Sequence, residues 1–458
     1  MRWHARGQTF GAGYRLLIMA LLGLVLALAG GASRHDEVQQ ALVRSAAVLA
    51  IGASLWPLDV SILRRCRRVI IAVAAAYLLL LLQLIPLPPA VWAGLPGHTV
   101  YADIAQAAGV VTWRPLSLTP DLTLNALAAL LPATAAALAA LHLDFRGRVR
   151  LAYAVVIVAG LSGLLGLAQL AAGGLRLYRE TSQDSAVGLF ANRNHQAALM
   201  ACALPLTGAL TGLRLRDGGD RRWIVGLAVT TAVFLLLSVV ATGSRMGLAL
   251  GVVGVGGALL AYRCAGQRLW PSRLAGRLAV AGGGAALLAM TSLAAIARGA
   301  AVGRLAAADI AGETRLAMLN PLLTTARAFM PLGAGFGAFD DVYRRFEPKA
   351  LLSTIYMNQA HNEPLQLAIE GGLPALALLA IFAAWWGRST WRATAAEQGA
   401  RRRAMGVAAA TVTVILMLSS LVDYPLRTPL LGALFAVACV ELWAGATRER
   451  RPGPGVGA

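Results

Sequence analysis

Along the chain, apolar runs of about 20 residues, the length that carries an α-helix across a bilayer core, alternate with short polar connections rich in arginine. We read twelve such spans: Tyr14 to Ala32, Ala41 to Pro57, Val69 to Leu87, Leu122 to Leu143, Leu151 to Gly173, His195 to Leu213, Trp223 to Ala241, Met246 to Tyr262, Leu278 to Ala297, Leu365 to Gly387, Met405 to Val422 and Pro429 to Ala446. The pattern predicts an all-α fold, a polytopic integral membrane bundle of about 12 transmembrane helices. Glycines inside the spans, such as those from Gly251 to Gly257, predict close helix packing.

Composition agrees and narrows the class. A chain of 458 residues that is 58% hydrophobic and 14% charged, with a mean hydropathy of +0.66, could not cover its surface as a water-soluble protein. A net charge of +20 would suggest nucleic acid in a soluble chain. Here all but one of the 41 basic residues are Arg, and they cluster between spans. Numbering the connections alternately puts Arg64 to Arg68, Arg146 to Arg150, Arg214 to Arg222, Arg263 to Arg277, Arg388 to Arg403 and both termini on one side, leaving the other nearly neutral. By the positive-inside rule the basic side is cytoplasmic and the neutral side faces outward, and no nucleic-acid partner is expected. The start of the chain has signal-like features in Arg2, Arg6, Arg15 and the small residues near Ala27, but we expect an uncleaved first span. Cutting there would leave eleven spans and upset the alternation. Cys66 and Cys264 fall in basic clusters and Cys202 and Cys439 in apolar runs, a spacing that offers neither a metal site nor an outward disulfide.

The outward side carries the chemistry. Three of its segments exceed a turn: Pro88 to Asp121, Gly174 to Asn194, and the longest, Arg298 to Pro364, whose mixed charge and length point to function. Four strings stand out there: GLFANRNHQAALMACALPL from Gly188, TGSRMG from Thr242, ETRLAMLN with PLGAGFGAF between Glu313 and Phe339, and HNEPLQLAIEGGLP from His361. Together they resemble the O-antigen ligase and polymerase superfamily of bacterial membrane glycosyltransferases. The most specific parts are the HN string opening a late span and the long loop before it with its G-x-G-x-F element. The resemblance covers residues 188 to 374. The segment WRPLSLTPDLT from Trp113, with FANRNH, is more similar to the polymerase branch than to the ligases of the lipid A core.

The resemblance implies a GT-C-like bundle with a long periplasmic loop of short helices. Its parts are N-terminal membrane helices over 1–187, an O-antigen ligase-related catalytic core over 188–387 that includes the loop 298–364, and C-terminal helices with a cytoplasmic tail over 388–458. It also implies an inverting, metal-independent transfer, without a cofactor, of a glycan from undecaprenyl diphosphate to an acceptor sugar hydroxyl. The acceptor is a growing glycan or the lipid A core, and polysaccharide assembly or chain-length proteins are expected partners besides the bilayer.

The residues suit such chemistry. Arg245 and Arg315 are expected to cradle the diphosphate, since a guanidinium is permanently charged and its fork of donors matches phosphate oxygens. The sequence has no DxD motif, and the adjacent Asp340 and Asp341 make a weak metal site. His361 is the expected general base, because an unperturbed imidazole is mostly neutral at pH 7 and accepts a proton. Asn362 is expected to position a sugar or cap the next helix. Glu370, nine residues after His361, should point away from it, and an acid inside a span needs a partner. Arg193, Asn194 and the flanking Asn192 and His195 stand on another outer rim and could contact diphosphate or glycan. Gly333, Gly335 and Gly337 follow no strand pattern and precede no GK[ST], so they predict a sharp loop turn rather than a nucleotide site. The alternative class is a transporter or flippase of lipid-linked glycan. Transporters, however, hold their ionisable groups near the membrane midplane, whereas here the unusual residues gather at one rim.

Overall fold

The computed structural model describes residues 2–56, 60–268, 309–349, 352 and 357–447. Helices α1 (Arg2–Ala29), α2 (Gln39–Ser54) and α3 (Val60–Leu82) open the chain. A two-stranded antiparallel ribbon follows, β1 (Pro86–Leu87) on β2 (Arg114–Pro115), which brackets the short helices α4 (Pro89–Ala93) and α5 (Thr99–Ala107). Then come α6 (Pro120–Ala129), α7 (Leu131–Leu141), α8 (Phe145–Ala172), α9 (Arg193–Arg216), α10 (Arg221–Ala241) and α11 (Arg245–Cys264). The second half holds α12 (Asp309–Phe329), α13 (Phe339–Tyr343), α14 (Glu363–Thr394), α15 (Ala400–Ser420), a 3-10 turn at Pro425–Arg427, and α16 (Pro429–Ala446).

The fold is that of an all-α, multi-pass membrane protein, and the described residues hold eight helices long and apolar enough to cross a bilayer, with α6 and α7 making one of them. They coincide with eight of the twelve predicted spans. Two more predicted spans fall on the shorter apolar stretches Gly13–Ala29 of α1 and Val69–Leu82 of α3. The predicted second span is α2, whose 16 residues reach about 24 Å, short of a core of about 30 Å. The predicted span from Leu278 to Ala297 lies outside the described residues. One stripe of α1, Leu17, Leu21, Leu24 and Leu28, is more than half exposed at a helical period. On a soluble protein it would be an aggregation site; in a bilayer it faces lipid.

The bundle is centred on α9. Apart from its polar first residues and basic end it is a run of small and medium apolar side chains, and almost all of it is buried by α8, α10, α11 and α15. Small residues set these approaches: a Cβ on Gly254 would lie 2.7 Å from the carbonyl of Ala201, and one on Gly257 would strike Thr411 on α15. The glycines of α11 therefore pack as the sequence suggests. A second layer of α1, α2, α7 and α16 joins this centre through α16, which also packs on α14 and α15. The ends of the bundle differ in character. At one end Arg401 pairs with Asp217, Arg148 reaches Glu441 at 2.6 Å, and Arg221 reaches Tyr262. The other end carries the ribbon, α12, α13 and the first residues of α9, α11 and α14.

The connection before α14 is more than short helices, because its described part includes the 21-residue α12. Leu316, Leu319, Leu322 and Leu323 recur at a helical spacing among interspersed charges, which is why hydropathy alone hid the helix. The following string PLGAGFGAF docks against a break in α14. Gly372 takes φ 58°, ψ −150°, and Pro374 has no N–H to give, so the carbonyls before the break lose their helical partners. Each is recovered from outside: Ala334 N–H donates to the Ile369 carbonyl at 2.9 Å, and both Gly335 N–H and Gln83 Nε2 donate to the Glu370 carbonyl at 3.0 Å. In return Leu373 N–H donates to the Pro331 carbonyl at 2.8 Å, and Phe336 N–H donates to Gln83 Oε1 at 2.9 Å. The glycines of the string thus serve close approach as well as turning. Gly335, at φ 106°, sits so near Ser117 that any side chain would collide with it.

Gly372→Ala and Gly335→Ala are each expected to destabilise the protein by about 2 kcal/mol or more, combining a disfavoured φ with a backbone collision. Gly226→Ala on α10, where a Cβ meets nothing within 4 Å, should be neutral or slightly stabilising. Thermal unfolding of the purified protein in detergent measures all three.

Candidate active site

Three helices begin at one place, and the sequence dictates each start. Asn192 caps α9, its side chain accepting from Asn194 N–H; Ser244 caps α11, accepting from Gly247 N–H at 3.0 Å; Asn362 caps α14, accepting from Leu365 N–H at 3.0 Å. Asp423, in the short connection between α15 and α16, ties these starts together. Its side chain is almost wholly buried at 1% exposure. Oδ2 accepts from Asn194 Nδ2 at 2.6 Å and Asn192 Nδ2 at 3.2 Å. Oδ1 accepts from Tyr424 N–H at 2.9 Å and lies 3.2 Å from His361 Nδ1. Asn194 passes the network on to α11, its Oδ1 accepting from Ser244 Oγ at 2.8 Å. Asn362 Nδ2 closes the ring by donating to the Leu421 carbonyl at 3.1 Å.

Burial by itself would raise the Asp423 carboxyl. The bond from His361 and the proximity of both His361 and His195 outweigh burial and hold it well below the usual carboxylate range. His195 Nε2 stands 3.8 Å from Oδ1, beyond the reach of a well-formed hydrogen bond. An ionised carboxylate only accepts, so His361 Nδ1 must carry the hydrogen. A neutral His361 then holds its lone pair on Nε2. The ring is one-third exposed (33%), and Tyr424 packs 4.9 Å from it. His361 also has φ 48°, a left-handed conformation that few residues other than glycine adopt. Strain of this sort at a polar, partly open residue is a mark of functional sites.

The residues singled out in the sequence are placed as follows. His361, Asn194 and Asn362 meet at the Asp423 connection, with Asn192 and His195 beside them. Arg193 is the first residue of α9, half-buried, its N–H donating to Ser182 Oγ at 3.3 Å, and Arg245 is the exposed first residue of α11. Each therefore adjoins a residue of the network. Arg315 belongs to α12, and its side chain lies outside the described residues. Glu370 is fully buried two helical turns into α14, where Oε1 accepts from Gln366 Nε2 at 2.9 Å and Oε2 from Arg427 Nη2 at 3.2 Å. It bonds to no residue of the Asp423 network. Asp340 accepts from Arg344 one turn along, at 2.9 and 3.0 Å.

Sequence reasoning missed Asp423, Tyr424 and Arg427. A signal existed: the string LVDYPLR puts an acid and a base into a connection too short for a solvated loop, between two apolar spans. Gln83 was missed too, because a single amide at the end of an apolar run announces nothing about a partner 287 residues away.

A buried carboxylate that fixes an imidazole where three helices start, within a multi-pass helical bundle, defines a membrane protein with an enzyme-like polar centre. Residues 230–380 match the family model described as Wzy_C, O-Antigen ligase, a match that supports the O-antigen ligase/polymerase superfamily for this stretch of the chain. The matched stretch holds Arg245, Arg315, His361, Asn362 and Glu370; Arg193, Asn194 and Asp423 stand outside it. No curated protein matches the chain.

Asp423→Ala should destabilise the protein by ~1–3 kcal/mol, since it strips two half-buried amides and an imidazole of their acceptor; Asp423→Asn should cost less. A depressed carboxyl contributes stability that is complete above its ordinary value of 3.8 and is lost as pH falls below it. The difference in thermal midpoint between wild type and Asp423→Asn should therefore hold steady from neutral pH to about pH 5 and narrow only in stronger acid.

Proposed function

We propose that this protein is an inner-membrane glycosyltransferase that moves a glycan from undecaprenyl diphosphate to an acceptor sugar hydroxyl at the periplasmic face. The polymerase reaction is favoured over ligation to the lipid A core. The observation that carries this reading is the hydrogen bond between His361 and the buried Asp423 at the meeting of three helix N-termini. Asp423 holds the hydrogen on Nδ1, so Nε2 is free to take the proton of the incoming hydroxyl. The hydroxyl oxygen attacks the anomeric carbon of the donor sugar on the face opposite the phosphate. The bond from that carbon to the phosphate oxygen breaks, and its electron pair leaves with the lipid diphosphate, which inverts the anomeric centre.

Negative charge grows on the leaving diphosphate. The starts of α9, α11 and α14 each present roughly half a positive charge from the aligned peptide dipoles, which favours an anion at this rim. Arg245 is assigned the leaving diphosphate and Arg193 the donor diphosphate or its first sugar, and Arg315 is assigned to the same cradle from the long connection. Asn194 and Asn362 position the reacting groups. Asp423 acts through His361 as a positioning residue. Glu370, paired with Arg427, supports the start of α14 from below. Such a set needs no divalent ion to neutralise the leaving group.

The test is transfer by purified protein given lipid-linked glycan and no ion gradient. His361→Ala should lower turnover by ~10²–10⁴-fold, far more than the modest fall in thermal midpoint from its lost bond to Asp423 can explain, and Arg245→Ala should lower it by ~10²-fold or more with an unchanged thermal midpoint. Near-wild-type turnover in either variant removes the assigned role. Adding a chelator should leave the rate unchanged, and a loss restored by divalent metal would overturn the arginine cradle. A strain lacking the protein should accumulate single lipid-linked repeats if it polymerises, and long lipid-linked chains if it ligates.

A further inference from the structure

Arg44 lies within the apolar stretch of α2, five residues from its start, and carries a charge that the protein itself does not balance. Its Nη2 donates to Asn125 Oδ1 on α6 at 2.7 Å. That partner is a neutral amide, and among the described residues no carboxylate stands within ion-pair distance of Arg44. Its Nε is shut off from solvent and has no acceptor. An uncompensated guanidinium among the apolar helices of a membrane bundle is costly, and such groups pair with an opposite charge or a polar ligand.

Depth and direction identify what balances it. Arg44 and Asn125 are each five residues from the N-terminal end of their helix, about 7 Å along the axis, so two separate elements give the same level. Both helices begin at the end of the bundle that holds Asp423. Because Cα–Cβ bonds tilt toward a helix N-terminus, the two side chains rise toward that surface, where lipid phosphates lie. The neighbours open outward rather than into the bundle. Ala41 and Val48, one turn either side of Arg44 on the same face, are exposed, as is Leu124 beside Asn125.

We propose that Arg44, held by Asn125, is a binding site for the phosphate group of an anionic lipid in the outer leaflet, distinct from the centre at Asp423. A phosphodiester supplies the missing negative charge and accepts from a guanidinium, while its acyl chains lie along Val48 and Leu49, which are more than half exposed. This site goes beyond the transfer reaction and does not depend on it.

Native mass spectrometry of the full-length protein, equilibrated with phosphatidylglycerol or with phosphatidylcholine of the same chains, tests the proposal. The wild type should retain phosphatidylglycerol in preference. Arg44→Gln should weaken that retention by about tenfold, the value of a charge-assisted bond, with phosphatidylcholine unaffected. Asn125→Asp guards against a variant that merely misfolds: it keeps Arg44, gives it an internal counter-charge of the same shape, and should match or exceed wild-type thermal stability while losing the lipid. Equal retention of phosphatidylglycerol by wild type and Asn125→Asp, or no preference in the wild type, overturns the site. Displacement of the lipid by millimolar inorganic phosphate overturns the lipid assignment in favour of a soluble anion.

Discussion

A single buried carboxylate organises the functional end of this protein. Three helices drawn from distant parts of the chain start around Asp423, and each brings unsatisfied N–H groups and a partial positive charge to a place where water is scarce. A negative charge at their junction compensates the dipoles, accepts from the side chains at two of the three starts, and leaves His361 with one defined tautomer. The same carboxylate is thereby a structural anchor and, in the proposed reaction, the group that orients the base. Remove it, and the helix starts lose their common anchor while the imidazole loses its orientation.

The arrangement also explains why the polar residues are crowded at one rim and the bundle interior is so bland. Small side chains on α9 and α11 let backbones approach closely, which gives packing enthalpy in a medium where apolar burial drives nothing. Polar groups within the helices are mostly small hydroxyls that bond the carbonyl a turn back, as Thr207 and Thr211 do on α9, whereas the ionisable groups gather in the Asp423 network and in the Glu370 and Arg427 pair just beneath. Opposite them, the arginines pair locally with acids at their own end, as Arg401 does with Asp217.

Much of the architecture was legible before any coordinates. Helix existence and order followed from apolar runs, because a bilayer demands both length and continuity from a crossing. Exact crossings were harder: α2 is apolar enough to read as a span and yet too short, since hydropathy does not register where a helix stops. The candidate residues His361, Asn194 and Asn362 were visible because they sit in unusual strings. Asp423 was not, because its meaning comes from groups more than sixty positions away along the chain for His361 and more than two hundred for Asn194, and no local pattern encodes such a meeting. The break in α14 was half visible. Gly372 and Pro374 announced a weak point, but nothing in the string said which backbone groups would come to mend it.

That mending has a consequence for how the molecule can move. The carbonyls at the α14 break are satisfied by Ala334, Gly335 and Gln83, so the fracture in the helix and the seating of the preceding loop are one event. Lifting the loop base would leave two naked carbonyls at the edge of the hydrocarbon, a state about as unwelcome there as an unpaired strand edge. The loop base is therefore a fixed hinge pin rather than a swinging gate, and any opening that the proposed lipid-borne donor requires has to arise in other segments while Gly333 to Gly337 stay seated.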